Sequence, residues 1–508
     1  MTSNPMTLLG GNLPVLPVAL PLAAAVVLAL LRERVVACRL IGIAVNLVGL
    51  VLAVILVERV RMDGVQVLAF GGWPAPYGIV FAVDMLGALM VMVTMVVSTA
   101  TLIFACFSLD ESRERTYFHA LFQVLLVGVN GSFLTGDLFN LFVWFEVLLI
   151  SSYALMALGS EGYQLQETFK YVVLNALSSA LFLVGIGIVY SLTGTLNMAD
   201  LARKMPLVQD PALTGAAAVI FLVVFGLKGG LFPLYVWLPR AYYAPPTVIS
   251  GLFGGLLTKV GVYALFRMVA LVFAGTTAFT LPVLGVVAGC TMFFGVLGAL
   301  SQWDFKRILS YHIVSQIGYM IMGLAIFTPI ALAGAIFYIV HHILVKTALF
   351  LIAGSVEKLR GTTALRHLGS VIESAPVLAA LFLVAALSLA GVPPFSGFVA
   401  KLMLIQGGLE ASAYSIVAVS VLVSFLTLYS MIKIFRYGFW NEQQSQDQDT
   451  PGGMPRVAAV ATLVGAGVVL GLAGTLAMPY ATLAAEQLLD TRAYVDAVLA
   501  VTGPGGGR

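Results

Sequence analysis

Lysine side chains occur in four segments of the chain that are otherwise long and apolar. They are Lys228, Lys259, Lys346 and Lys401. A lysine at the centre of a bilayer costs roughly 2.5–3.5 kcal/mol on insertion scales, so these residues are expected to face a water-lined interior and not lipid. Burial favours the neutral form of an amine, which lets a buried lysine gain and lose a proton near neutral pH. The four lysines are therefore predicted to be steps of a proton path.

A single carboxylate, Glu146, lies in the middle of another apolar stretch, residues 138–158. Desolvation alone would drive this group neutral, whereas a nearby lysine would hold it ionised, and Lys228 is the predicted partner. A change in the distance between Glu146 and Lys228 would switch the lysine between holding and releasing a proton. The alternative is a static ion pair that only locks two helices together.

Tyr338, His342 and Lys346 are spaced four residues apart, and His341 is adjacent to the second of them. On a helix this spacing places the three side chains on one face. Histidine changes charge near physiological pH, so the stripe suits a proton relay at membrane depth. Metal binding is the alternative chemistry for a histidine pair. No carboxylate or cysteine stands at ligand spacing, and no metal site is predicted.

Two of the apolar stretches are interrupted by glycine and proline. Pro233 follows Lys228 by five residues, and Pro393 and Pro394 precede Lys401. Proline removes a backbone donor, and interrupted membrane helices are tolerated where the backbone lines a cavity. Two such interruptions in the two halves of a chain are typical of transporters with an internal repeat. We therefore predict helix breaks at these prolines.

The composition predicts an all-α polytopic membrane protein. Of 508 residues, 60% are hydrophobic and 10% are charged, which lies far from the composition of soluble proteins. A net charge of +3 with scattered basic residues gives no indication of a nucleic-acid partner. The three cysteines lack the spacing of a metal or cluster site, and no glycine-rich nucleotide motif occurs, so no cofactor is predicted.

Fourteen stretches are long enough to span the hydrocarbon core of a bilayer. They are residues 13–31, 36–57, 79–106, 118–136, 138–158, 168–193, 213–238, 247–273, 278–301, 308–327, 330–353, 375–409, 412–439 and 457–478.

The segments between and after these stretches predict the orientation of the chain. Loops on one side carry about twice as many lysines and arginines as loops on the other, which puts both termini outside by the positive-inside rule. Residues 441–455 are predicted to be an exposed loop, and residues 478–501 an interfacial helix. Asp137 lies at the end of a span, either as an interfacial residue or at the mouth of a channel.

Five short strings in the chain resemble those of a known family. They are FEVLLISSY at 145–153, KGGLFPLYVWLP at 228–239, LTKVGVY at 257–263, HHILVK at 341–346 and PPFSGF at 393–398. Together they resemble the antiporter-like proton-channel subunits shared by respiratory complex I, membrane-bound hydrogenases and the multisubunit Mrp cation/proton antiporters.

Within this family the resemblance is to the D-type subunits of the Mrp branch. The string WLPRAYYAPP at 237–246 is similar to Mrp sequences, whereas complex I relatives usually have Asp in place of Arg240. Complex I relatives also commonly carry His where this chain has Gln316. The chain has no long C-terminal extension of the kind found in the larger A-type subunit.

The resemblance implies a fold of fourteen helices with two inverted five-helix repeats and broken helices 7 and 12. The implied divisions are an N-terminal unit at 1–117, the repeats at 118–273 and 274–440, and a C-terminal segment at 441–508. Position by position, the resemblance implies that proton translocation is carried by Glu146, Lys228, Lys259, His341, His342, Lys346 and Lys401.

The resemblance further implies a secondary transporter subunit and not an enzyme. Its expected partners are other Mrp antiporter subunits, monovalent cations, protons and membrane lipid. The expected activity is exchange of sodium, potassium or lithium for protons across a bacterial plasma membrane. Two alternatives stay open at this point: a proton-pumping subunit of a complex I-like or hydrogenase redox complex, and a scaffold whose buried charges only hold helices together.

Overall fold

The computed structural model describes residues 11–442 and 453–500, and in this part of the chain thirteen helical segments are long and apolar enough to cross a membrane. A further span is interrupted and consists of the helices Pro376–Ala390 and Ser396–Glu410. With it, the prediction of about fourteen spans in an all-α membrane protein is confirmed. The ends of the spans differ from the predicted ends by up to several residues.

The first six membrane helices lie between residues 16 and 193. They are α1 (Leu16–Leu30), α2 (Val35–Asp63), α3 (Met85–Ala105), α4 (His119–Leu134), α5 (Leu138–Met156) and α6 (Gly162–Thr193). Short helical turns at Leu13–Val15, Glu111–Arg113 and Glu114–Phe118 precede α1 and α4, and the helix Met198–Lys204 follows α6.

The next eight membrane helices include the two interrupted ones. They are α7 (Pro211–Gly229, continued by Leu234–Trp237 and Leu238–Ala241), α8 (Thr247–Gly255 and Leu257–Arg267), α9 (Thr277–Ser301), α10 (Phe305–Ile326), α11 (Pro329–Arg360), α12a (Pro376–Ala390) with α12b (Ser396–Glu410), α13 (Tyr414–Ile434) and α14 (Gly453–Leu472). Two further helices, α15 (Gly474–Leu489) and α16 (Arg492–Leu499), end the described chain.

A small β-hairpin between α2 and α3 was not predicted. Strand β1 (Gln66–Ala69) pairs antiparallel with β2 (Val80–Val83), with Gln66 opposite Val83. The apolar run at 79–106 therefore contains a strand and a helix, and Asp84 separates them by accepting a hydrogen bond from the backbone N–H of Gly87 at 2.9 Å. Hydropathy could not show this boundary because a buried strand and a membrane helix are equally apolar.

The C-terminal region also differs from its prediction. Helix α14 ends at Leu472, earlier than predicted, and the region expected to hold one interfacial helix contains α15 and α16. The side-chain amide oxygen of Gln487 accepts a hydrogen bond from the backbone N–H of Met85 at 2.8 Å. Helix α15 therefore packs against the start of α3. Part of the predicted exposed loop, residues 443–452, lies outside the described residues.

The two five-helix units, α4–α8 and α9–α13, contain the same corner. Asp137 caps the first turn of α5 and forms an isolated backbone bridge with Asn197, which follows α6. Asp304 caps α10 and forms the same kind of bridge with Ala364, which follows α11. Each capping carboxylate satisfies a backbone donor at a helix start, so the same local chemistry fixes the same corner in both units.

Each unit also contains one helix that is broken at a glycine and proline interruption, as predicted. Gly230 follows the first part of α7 and Gly391 follows α12a, and each of these glycines has a positive φ, 77° and 89°, which other residues rarely adopt. Pro233 lies within the first interruption, and Pro393 and Pro394 lie within the second.

Helices α8 and α11 form the centre of the molecule and are buried along nearly their whole length. Helices α2, α6 and α13 are much less buried and expose apolar side chains such as Val51, Phe169 and Phe425. Such exposed faces suit contact with lipid or with partner subunits. The ionisable residues of α8 and α11 are thus held well inside the protein.

A buried ion pair joins α3 to α8 near the hairpin. The Arg267 guanidinium donates two hydrogen bonds to Asp84, one of them at 2.7 Å from Nη1 to Oδ2, and a third at 2.9 Å to the Tyr263 hydroxyl. Arg267 lies at the end of α8 and is 4% exposed. Its five donors in a planar fork make such bidentate pairing favourable in a buried position.

Candidate functional site

Glu146 and Lys228 are connected through a third side chain. The Ser179 hydroxyl, on α6, donates a hydrogen bond to Oε1 of Glu146 at 2.5 Å. The Lys228 ammonium donates to the same hydroxyl oxygen at 3.4 Å. The two charged groups, both in the described part of the chain, form no direct ion pair within 4 Å. The predicted interaction between Glu146 and Lys228 is therefore indirect and runs through the Ser179 hydroxyl. Ser179 was not among the predicted site residues.

The break in α7 determines where Lys228 lies. The lysine is the second residue before Gly230, and its ammonium lies 5.1 Å from the centre of the Phe145 ring. The Trp237 indole N–H donates a hydrogen bond to the carbonyl of Leu227 at 3.1 Å. This bond satisfies a backbone carbonyl that has no partner within the helix because the helix is interrupted. Lys228 is thus fixed at the end of a half-helix, where cations are favoured by the helix dipole.

The backbones of α7 and α8 come into close contact at this point, and the contact depends on glycine. A Cβ atom on Gly261 would lie 2.6 Å from the backbone nitrogen of Gly229. Only glycine allows the two backbones to come this close. The contact joins the segment that carries Lys228 to the segment that carries Lys259, two residues before Gly261.

Lys259 is completely buried beside an irregularity in α8. Its ammonium donates a hydrogen bond to the carbonyl of Gly254 at 2.5 Å. A Cβ on the next residue, Gly255, would lie 3.5 Å from the carbonyl of Ile343 and even closer to the Thr347 hydroxyl. The lysine therefore lies where α8 packs against α11, next to the turn that carries Lys346.

The predicted polar stripe on α11 is wholly buried. Tyr338, His341, His342 and Lys346 each have no exposed surface. Within the described residues, neither ring nitrogen of His342 nor the ammonium of Lys346 has a hydrogen-bond partner. Buried polar groups are almost always hydrogen-bonded to protein or to ordered water. Water at the centre of α11 can therefore connect His342 and Lys346 to the other buried ionisable side chains. We call Glu146, Lys228, Lys259, His341, His342, Lys346 and Lys401 together the buried row.

His341 is directed away from the rest of the stripe, towards the break in α12. Its Nδ1 lies 2.8 Å from the Ser396 hydroxyl, which in turn lies 3.4 Å from the hydroxyl of Ser388. A Cβ on Gly397 would lie 3.0 Å from the His341 ring. The interruption in α12 thus brings a histidine of one helix against the hydroxyls of both halves of the next.

Lys401 reaches back to the same interruption. It lies on α12b, after the break, but its ammonium donates hydrogen bonds to the carbonyls of Leu389 and Ala390 at 3.2 and 3.0 Å, at the end of α12a. It also lies 4.5 Å from the centre of the Tyr319 ring. Both broken helices therefore have a lysine ammonium at the end of their first half, although in sequence one lysine precedes its break and the other follows.

Two polar residues of α10, His312 and Gln316, join this end of the row and were not among the predicted site residues. The Tyr338 hydroxyl donates to the side-chain oxygen of Gln316 on α10. His312, one turn before Gln316, lies 2.9 Å from the Ser430 hydroxyl through Nε2. A buried histidine followed four residues later by glutamine in an apolar helix was the available signal.

Asp137 lies apart from the row, at the first turn of α5. Its carboxylate accepts a hydrogen bond from the backbone N–H of Asn140 at 2.8 Å. Glu146 is nine residues further along, which corresponds to about 14 Å of helix. Burial raises the pKa of Asp137 to about 6, against an ordinary value of 3.8.

This raised pKa predicts a pH-dependent stability. Between about pH 4 and 6 the folded chain keeps a proton on Asp137 that the unfolded chain has released, so stability falls as pH rises through this window, by at most about 3 kcal/mol. Asp137→Asn keeps a capping side chain without the titration. We expect the thermal stability of the purified variant to exceed that of the wild type above about pH 6 and to approach it at about pH 4. A constant difference across this range would contradict the assignment.

The fold and the row of buried ionisable side chains define a class of membrane protein. In this class, a series of ionisable side chains on successive helices crosses the centre of the bundle. A sequence model of the family described as NADH:quinone oxidoreductase/Mrp antiporter, transmembrane, matches residues 135–427. The chain belongs to this family.

Similar proteins cover almost the full length of the chain. The D-type Na(+)/H(+) antiporter protein of Alkalihalophilus pseudofirmus is 48% identical over 491 residues, which are 96% of this chain and 99% of that protein. The protein of the same name from Bacillus subtilis is 43% identical, with the same coverage. A chain in the structure of the Mrp complex from Dietzia sp. DQ12-45-1b superimposes with a TM-score of 0.89 and 34% identity, covering 97% of this chain and 99% of that one.

Proposed function

We propose that this chain is the proton-translocating subunit of a multisubunit antiporter that exchanges monovalent cations for protons. The observation that carries the proposal is the buried row itself: Glu146 bridged to Lys228, Lys259 beside α11, and His341 and Lys401 meeting at the break of α12. Such residues are expensive inside a membrane and are typical of ion pathways. Relatives named as sodium/proton antiporter subunits support the choice of activity.

In this proposal, the proton moves because each lysine changes its affinity for it. An ionised Glu146 favours the protonated form of Lys228 through the Ser179 bridge, and loss of that interaction releases the proton towards Lys259. The helix contact at Gly229 and Gly261 and the hydratable centre of α11 provide the next steps. A proton that crosses a potential of about 100 mV releases about 2.3 kcal/mol, which is the free energy available to drive the cation in the opposite direction.

The proposed setting is a bacterial plasma membrane, with both chain termini outside and with other antiporter subunits as partners. The excess of basic residues in one set of loops supports the orientation, and the Mrp complex superimposed on this chain supports the assembly. We propose that the exchanged cation binds in a partner subunit, because the row contains one carboxylate and several amines, whereas sodium and potassium require oxygen ligands. The proposed role is that of a secondary transporter subunit and not of an enzyme.

The test is cation-dependent proton flux in sealed vesicles that contain the whole complex, without any electron donor. Glu146→Gln keeps a hydrogen-bond acceptor for Ser179 but removes the charge that holds a proton on Lys228. We expect the flux to fall about tenfold, the equivalent of one pKa unit. Glu161→Gln is the matched control, because Glu161 is exposed and pairs with Arg113 at 2.8 Å, away from the row. Normal flux in Glu146→Gln, or wild-type flux that needs a redox substrate, would contradict the proposal.

A further inference from the structure

A second set of buried polar side chains lies in the N-terminal bundle, away from the row of lysines. Helix α4 carries His119, Gln123 and Asn130 at intervals of four and seven residues, and α2 carries Asn46. All four are at most 3% exposed. The interval places the three α4 residues on one face. We call these four residues the α4 column.

The column begins at the end of the bundle where α1 joins α2 and α3 joins α4. Glu114 lies there in a π-helical turn and accepts hydrogen bonds from Arg39 at 2.9 and 2.5 Å. Nε2 of His119 lies 2.9 Å from the same carboxylate. In this turn Tyr117 has a φ of 60°, which a non-glycine residue rarely adopts. The partly exposed Arg39 lies outside the buried Glu114 and His119, and these three residues form the outer end of the column, which we call its mouth.

Deeper in the bundle the column continues through amide side chains. The Gln123 amide donates to Oδ1 of Asn46 at 3.0 Å. The Asn130 amide donates to the carbonyl of Pro17 on α1 at 2.9 Å and lies 3.6 Å from the sulfur of Met95. His119 and Asn130 are eleven residues apart, so the column extends over about 16 Å, half of the hydrocarbon thickness.

Each member of the column uses one of its polar ends and leaves the other without a partner. Among the described residues, no hydrogen bond reaches Nδ1 of His119, Nδ2 of Asn46, Oε1 of Gln123 or Oδ1 of Asn130. This set contains a donor as well as acceptors. A bound cation would require oxygen ligands on every side, whereas water both donates and accepts. These four atoms lie at three levels of the bundle, at His119, at Gln123 with Asn46, and at Asn130, and they point to a file of water molecules.

Polar groups also continue beyond Asn130 towards the hairpin end. One turn further along α4, the carbonyl of Phe133 accepts a hydrogen bond from the Tyr263 hydroxyl at 2.8 Å. That hydroxyl belongs to the buried group formed with Arg267 and Asp84. One end of the column is therefore charged and irregular, and its other end approaches a second buried charge pair.

We propose that the α4 column is a second water-filled proton path, separate from the row of lysines. Protons enter at the mouth formed by Glu114 and His119 and pass along the water that the amides hold, to the level of Asn130. The transfer exchanges protons between neighbouring waters and breaks no bond other than O–H and N–H. A purely structural polar cluster would satisfy its side chains within the protein, whereas each of these four keeps one polar atom that no other described residue satisfies.

The first test measures whether the column is wet. In a background with Cys38→Ser, Cys106→Ser and Cys290→Ser, we place single cysteines by Gln123→Cys and Asn130→Cys in the assembled complex. The probe is 2-aminoethyl methanethiosulfonate, which reacts with hydrated thiols. The control is Leu125→Cys, on the same helix, equally buried and on a different face. We expect both column cysteines to react at least about ten times faster than the control. Rates equal to the control would overturn the proposal.

The second test measures whether the column carries protons. Gln123→Leu and Asn130→Leu remove the amides without introducing charge, and we expect each to lower proton flux of the assembled complex at least about threefold. Unchanged flux in both variants would overturn the proton path even if the cysteines react. If a leucine variant fails to assemble, the cysteine rates decide alone. These rates are measured without ion transport, so their outcome does not depend on whether the chain belongs to an antiporter.

Discussion

Lys259→Met is expected to lower cation-dependent proton flux by about a hundredfold, the lower part of the range for loss of a positioned proton-transfer group. Lys259 is completely buried, and its ammonium contacts the carbonyl of Gly254 at 2.5 Å, where α8 packs against α11. Methionine has a similar length and is better tolerated inside a membrane than lysine, so the variant is expected to fold and assemble. The loss of flux would then report the loss of the proton-binding amine.

A second substitution at this position separates a proton relay from a fixed charge. Lys259→Arg keeps the positive charge, but a guanidinium does not release its proton in proteins. A relay therefore loses its flux in both variants, whereas a scaffold that needs only the charge keeps it in the arginine variant. Lys170→Met is the control, because Lys170 is 42% exposed and pairs with Glu167 at 2.7 Å on α6. Full flux in Lys259→Arg would eliminate deprotonation of this lysine from the mechanism.

The ionisable members of the row could be found from sequence because their surroundings are so apolar. A lysine, histidine or glutamate at membrane depth has few structural reasons to be there. Ser179 and Ser396 could not be found in this way, although they make close contacts with Glu146 and His341. Serine is common in membrane helices as a small packing residue that bonds its own backbone, so its presence indicates no role.

The position of Lys401 shows a second limit of sequence reasoning. Counted along the chain, Lys228 precedes its helix break and Lys401 follows its own. The Lys401 side chain extends back along the helix axis to the carbonyls at the end of α12a. Side chains on a helix point towards its N-terminus, so the ammonium lies about one turn from where its Cα suggests. The two breaks are thus more alike in space than in sequence.

The fold was more predictable than the contacts within it. Long apolar runs predicted the number of spans, and the combined glycine and proline interruptions in two of them predicted the broken helices. The hairpin at Gln66–Ala69 and Val80–Val83 was missed because its second strand continues directly into the apolar run of α3. The α4 column was missed for a related reason. Amides are neutral and occur singly along the span, so they do not interrupt its apolar pattern.

Gly261→Ala is expected to lower proton flux about fiftyfold, because a displacement of about 1 Å between reacting groups can cost about a hundredfold. The added Cβ would lie 2.6 Å from the nitrogen of Gly229 and 2.9 Å from the carbonyl carbon of Lys228. Both contacts are with backbone, so no side-chain rotation relieves them and α8 must move away from α7. The movement separates the segments that carry Lys228 and Lys259 without altering either lysine.

Gly289→Ala is the matched control for this substitution. Gly289 lies in α9, another membrane helix, and a Cβ placed on it meets no atom within 4 Å. Alanine is also the better helix former, so this variant should assemble normally and keep its flux. Flux and the amount of assembled complex are measured together for both variants. If Gly261→Ala assembles and transports as well as Gly289→Ala does, the close approach of α7 and α8 has no part in passing protons between the two lysines. The transfer would then have to proceed through water that tolerates a wider gap.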